Sequence, residues 1–239
     1  MFFLALSCNK PKKAKSASNS TEDSLIAKVE EYTLDSDVQV KYLDSAYQLA
    51  LDRSVDTVSQ NLLKKITIAY YNRDLYDKSI TSGKKLYSLS VSLKDTLAAG
   101  RALFYVGESF YGLENNDSAF WYYKAAEKLN TNFNGTGDRA LGEIILYKAY
   151  VYYDAGEFAL CESEAFKAEK YLRLDNKATD LYNCYNLIAL ALDGQENNKD
   201  AIRYYQKAFD VIDNFKKEGY SDSQIALNKA SCYNNMGGV

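Results

Sequence analysis

Four segments of this chain carry small and aromatic residues in the same order, at an interval of about forty positions. "NDSAFWYYKAAEKLN" from Asn116, "GEFALCESEAFKAEKYL" from Gly156 and "NKDAIRYYQKAFDVI" from Asn198 align without gaps in their central columns. A small residue falls at Ala119, Cys161 and Ala201. Four residues later come Tyr123, Ala165 and Tyr205, and three further on Ala126, Ala168 and Ala208. The segment before each also aligns, with Gly107, Ala149 and Ala189 in one column. A weaker copy places Thr67, Ser79 and Leu86 in the matching columns, so the column spacing is 40, 42 and 40 residues. Self-similarity at such a period means a stacked array, in which each unit covers the apolar face of the next.

The spacing also fixes the kind of element. Positions 119, 123 and 126 follow i, i+4, i+7, which lines one face of a helix. Alanine in these columns lets helix axes approach to the near end of the usual ~8–10 Å range. A single proline and 12 glycines in 239 residues argue against a loop-rich all-β chain, and the abundance of Ala, Leu, Lys, Glu and Tyr favours helices. Gly156 supplies a turn residue that tolerates positive φ. "NTNFNGTGD", "RLDNKATD" and "GYSDSQ" read as capped loops between helix pairs, with a cap at Asp138.

These residues resemble the tetratricopeptide repeat (TPR) family. "YYDAGEFALCESEAFKA" matches its turn through Gly156 and Phe158. "YVGESFYGLENNDSAFWYYKAAEKL" matches the rest through Gly107, Phe110, Ala119, Tyr123 and Ala126. The resemblance covers about Asp56 to Val239, and "YLDSAYQLALD" looks like the second helix of an earlier unit. The proline that often closes a unit is absent, and the period exceeds the family's usual length of about 34 residues. Long-period versions of this kind occur in bacterial signalling proteins. The resemblance implies an all-α fold, a right-handed superhelical array of antiparallel helix pairs (a TPR-like α-solenoid), spanning residues 25–239.

It also implies a groove lined by the first helix of each pair. Carried over column by column, the lining is Lys64, Ile68 and Tyr71; then Arg101, Phe104, Glu108 and Tyr111; then Leu146, Tyr150 and Tyr153; then Asn186, Leu190 and Asp193. An aromatic surface with a few amides and charges suits an extended peptide or an amphipathic helix. The family's carboxylate clamp for chaperone C-termini is not expected, because Ile68 stands where that clamp needs asparagine. Most of the 22 tyrosines are expected in the packing between helices rather than on a recognition surface.

Composition removes several chemistries. The chain has no histidine, which excludes Ser-His-Asp and Cys-His catalysis and His-ligated metal. Its four cysteines form no CxxC pair, so Cys161, Cys184 and Cys232 are expected as buried or half-buried thiols. No cofactor or metal site and no enzymatic activity are expected. "NGTGD" lacks the Lys-Ser/Thr of a phosphate loop. With a net charge of −3, no global basic field would draw this segment to nucleic acid.

The N-terminus, "MFFLALSC", resembles a bacterial lipoprotein signal, with an apolar run leading to a cysteine that would be acylated at Cys8. The run is short and lacks preceding basic residues, so residues 1–24 read as a truncated signal followed by a solvated tether rich in Lys, Ser and Asn. This implies a lipid-anchored location in the cell envelope, on the periplasmic or surface side, with a cytoplasmic location as the alternative. At the other end, "ASCYNNMGGV" is read as placing Gly237 in the column of Gly107 and Ala149, with the last repeat cut off. The functional expectation is a protein- or peptide-binding module, the sensor or regulatory part of a bacterial signalling protein. The alternative is a structural lipoprotein that scaffolds an envelope complex.

Overall fold

The computed structural model describes residues 37–52, 55–131 and 138–238. The fold is all-α: the described residues form ten α-helices and one short 3-10 segment, with no strand. In chain order the helices are α1 (Asp37–Asp52), α2 (Thr57–Tyr71), α3 (Tyr76–Ser92), α4 (Thr96–Gly112), α5 (Asn116–Asn130), α6 (Asp138–Asp154), α7 (Phe158–Asp175), α8 (Ala178–Asp193), α9 (Asn198–Ile212) and α10 (Asp222–Gly238). The signal-like segment and Cys8 lie outside the described residues. The chain divides into two compact units, Met1–Leu129 and Asn130–Val239.

In each unit every helix packs against the next in sequence, and alternate helices also meet, α2 with α4 and α6 with α8. That is the arrangement of stacked antiparallel pairs. The extra length of the repeat is spent in the helices: α3, α4 and α6 have 17 residues each and α7 has 18.

The aligned columns are the contact points. Ala119, Cys161 and Ala201 have no exposed surface, nor do Ala126, Ala168 and Ala208. Thr67, Ala149 and Ala189 are equally closed. Size is traded between facing helices. Gly107 on α4 faces Tyr123 on α5, and in the weaker copy the roles reverse, with Thr67 on α2 facing Gly83 on α3. The stretch "YLDSAYQLALD" is helical: α1 buries Leu43, Ala46 and Ala50 on one face against α2, and the first helix of an earlier unit would lie outside the described residues.

One turn ends the first helix of each pair, and it recurs after α3, where Lys94 has φ 57° and the Asp95 amide donates to the Ser90 carbonyl. The residues after α2, α4, α6 and α8 include Asp74, Glu114, Gly156 and Glu196, all with φ between 56° and 74°. Each turn closes with the same bond, donated to Tyr70, Phe110, Tyr152 and Leu192 carbonyls by the amides of Leu75, Asn115, Glu157 and Asn197. This is the Schellman closure, which satisfies carbonyls at a helix end. Only Gly156 carries the residue type that announces it. The acidic residues at the other three positions hold the same left-handed backbone because the packed helices on either side impose it.

Caps follow sequence in part. Asp56 accepts from the amide of Ser59, Asp95 from Ala98 and Asn115 from Ser118. Ser221 and Gln224 form a reciprocal capping box at α10. Asp138 opens α6, and its side chain lies outside the described residues. One expectation needs correction. The start of α8 is capped from a distance: Glu218 accepts from the amide of Ala178 and from the hydroxyl of Thr179.

Candidate ligand-binding face

In the first unit, Lys64, Ile68 and Tyr71 lie along α2, and Arg101, Phe104, Glu108 and Tyr111 along α4, on helices that pack side by side. Glu108 is 4% exposed and sits at the centre of this group. Its carboxylate accepts from the Tyr123 hydroxyl of α5 at 2.5 Å and from the Tyr71 hydroxyl of α2 at 3.3 Å. Burial, and then the neighbouring Glu108 charge, push the Tyr71 phenol well above its ordinary pKa. Glu108 therefore ties three helices together, and Tyr71 closes over it. Phe104 is also buried, 6% exposed, with the Tyr105 and Tyr123 rings at 5.8 and 6.0 Å. The Arg101 guanidinium lies over Phe104 and Tyr105, at 5.4 and 5.8 Å from the ring centres. What stays accessible is Lys64, exposed, with Ile68, Tyr71, Arg101 and Tyr111 half-buried.

In the second unit, Leu146, Tyr150 and Tyr153 lie on α6, and Asn186, Leu190 and Asp193 on the adjoining α8. Leu146 is 2% exposed and belongs to the core. Tyr150, Tyr153, Leu190 and Asp193 are half-buried. The Tyr150 hydroxyl donates to the Asn183 carbonyl of α8 at 3.4 Å, and the Tyr153 ring meets Phe158 at 5.6 Å. Burial raises the Tyr153 phenol, and Asp193 adds to the shift, so these two side chains are electrostatic neighbours. Burial, and then the nearby Asp193 and Tyr153, raise the phenol of Tyr205 on α9 as well.

Asn186 is 7% exposed because α10 lies over it: Asn235 donates from its amide to the Asn186 side-chain oxygen at 3.2 Å. Sequence alignment missed Asn235, since it set the register of α10 by Gly237. Gly237 is exposed and has no neighbour near the position of a Cβ. Cys232 is the fully buried residue of α10. The 3-10 segment Asp213–Glu218 lengthens the link between α9 and α10, which moves the repeat column. The buried aromatic Phe215 in that segment, packed edge-on against Tyr182, was the available signal of an insertion.

The predicted lining thus divides. Phe104, Glu108, Leu146 and Asn186 are taken up by protein contacts. Lys64, Ile68, Tyr71, Arg101, Tyr111, Tyr150, Tyr153, Leu190 and Asp193 keep surface in contact with solvent. The three cysteines in the described residues are buried free thiols. Burial pushes Cys161 up to about 12 and Cys232 up to about 11, and Cys184 higher still, so none offers a thiolate nucleophile at neutral pH. No cluster of His, Cys, Asp or Glu among the described residues could hold a metal ion. No helix among them is long and apolar enough to cross a membrane.

No family model matches the sequence, and no curated protein matches it. Solved structures do share the fold. BtubC (BKLC) from P. vanneervenii superposes with a TM-score of 0.65 at 15% identity, over 92% of this chain and 85% of that one. The apo form of RapI gives a TM-score of 0.69 at 12% identity, over 88% and 82%. Aspartyl phosphate phosphatase F from Bacillus subtilis gives 0.55 at 16% identity, and this chain spans 57% of it. These likenesses set the chain among TPR-like α-helical repeat folds.

Proposed function

We propose that this protein is a protein- or peptide-binding module that does no covalent chemistry of its own. The observation that carries this reading is the contrast between two helix faces in the second unit. Every aligned column that meets a neighbouring helix is closed, while Tyr150, Tyr153 and Leu190 stand half-buried beside one another on α6 and α8. Tyrosines held by their own hydrogen bonds and ring contacts offer apolar area at little entropic cost on binding. Asp193, half-buried beside them, adds a polar group within reach of a ligand backbone. The carboxylate best placed for acid–base work, Glu108, is engaged by two phenols inside the protein, which supports binding over catalysis.

Within this reading, we assign the chain to the sensor or regulatory part of a signalling protein, held at the cell envelope by acylation of Cys8. The alternative is a lipoprotein that scaffolds an envelope complex. The two part on phenotype: loss of the first changes a regulatory output, and loss of the second mislocalises envelope components. The binding face is tested by selecting peptides from a displayed random library and measuring their affinity for the protein and for a Tyr150→Ala/Tyr153→Ala variant. Loss of affinity by about tenfold or more is expected from removing two aromatic anchors. Equal affinities, with unchanged melting of the variant, would remove this face from the site.

A further inference from the structure

We propose that the outer face of the first unit, where α3 and α5 present Trp121 among lysines, docks on an anionic lipid surface. Trp121 is the sole tryptophan of the chain and is 62% exposed. The repeat does not require an indole there: the same column holds Thr81, Ser163 and Arg203 in the other copies. Its ring is nonetheless held in place. It meets Tyr122 edge-on at 4.8 Å, and Tyr122 stacks on Phe110 at 5.3 Å. The Lys84 ammonium lies 5.8 and 5.9 Å from the Phe110 and Tyr122 ring centres. Trp121, Lys124 and Lys128 follow i, i+3, i+7 along one face of α5, and Lys84 and Lys85 are exposed on α3. Among the described residues, no carboxylate pairs with Lys84, Lys85 or Lys124. A cationic patch has thus been kept on a chain whose net charge is −3.

The occupant follows from charge and shape. Ammonium groups that no carboxylate neutralises, as at Lys84, Lys85 and Lys124, attract anionic headgroups additively, within a Debye length. An amphipathic indole settles at the level of those headgroups. A folded peptide partner would need a recess for its own anchor side chain. Here the anchor projects from a helix ridge, a form that a soft headgroup layer accepts. The inference stands apart from acylation at Cys8 and from the binding face on α6 and α8.

The single tryptophan makes the test direct, because the emission of the full chain reports this one site. Vesicles of phosphatidylglycerol mixed with phosphatidylcholine should shift the emission to the blue, and brominated acyl chains should quench it. Pure phosphatidylcholine should do neither, and high salt should reverse both effects. Lys84→Glu/Lys124→Glu should weaken partitioning by at least about tenfold, and Lys84→Arg/Lys124→Arg should retain it. Circular dichroism melting checks that both variants fold. An unshifted emission on anionic vesicles, an equal shift on neutral ones, or undiminished partitioning of the charge-reversed variant would overturn the proposal. So would a shift produced by soluble polyglutamate and by no vesicle, which would assign the face to an acidic protein segment.

Discussion

Gly107 on α4 exists to admit Tyr123 from α5: a Cβ at residue 107 would lie 2.7 Å from Cε1 of that ring. Tyr123 has no exposed surface and its hydroxyl ends on Glu108, so the ring has no room to retreat. Gly107→Ala should therefore destabilise the protein by about 1–3 kcal/mol, as overpacking does. Urea denaturation measures it, and an unchanged midpoint would contradict the assigned register.

The same contact can be probed from its polar end. Tyr123→Phe keeps the ring and removes the donor to a buried carboxyl oxygen. The expected cost is about 1–3 kcal/mol. A loss near zero would mean that Glu108 is not held as described.

Ala119 sits at zero exposure where α5 meets its neighbours. Ala119→Arg would bury a charge without a partner, for about 3–5 kcal/mol of lost stability. Near-wild-type thermal melting would count against the alignment of the repeat.

The recurrent turn predicts a gain. Glu114 and Glu196 are exposed and hold φ of 58° and 61°. Glu114→Gly and Glu196→Gly should each raise stability by about 0.5–1 kcal/mol by relieving that backbone. Gly156→Ala, at φ 74°, should lower it. If all three substitutions move the melting temperature in the same direction, the explanation fails.

Lys148 and Glu164 form an ion pair at 2.7 Å between α6 and α7, with side chains 8% and 13% exposed. Burial alone would raise the Glu164 pKa, but the Lys148 and Lys167 ammonium groups beside its carboxylate outweigh it, so its native value is lowered. A lowered native value means stability that is present above the unfolded pKa, roughly 4.3, and lost as pH falls through the native one. Glu164→Gln should cost stability at pH 7, and the gap from wild type should close on acidification. A gap that is constant from neutral to acid pH would show that the pair is not linked to folding.

Much of the fold was legible because its determinants are local. The columns at 119, 123 and 126 lie within two turns of one helix, and helical geometry alone brings them to one face. Gly156 announced its turn, whereas Asp74, Glu114 and Glu196 did not, since nothing in an acidic residue favours a left-handed backbone. Gly237 misled because composition near a helix end resembles a contact column, and the 3-10 insertion had moved the register.

The sequence by itself determined that the chain is a stack of helix pairs, and which small residues are its contacts, because both follow from spacing along one helix. Only the tertiary structure decided which residues of the predicted lining remain open. Glu108 is closed by Tyr71 and Tyr123, and Asn186 by Asn235, each from a different helix. Exposure is a sum over neighbours distant in the chain, and no local pattern contains that sum.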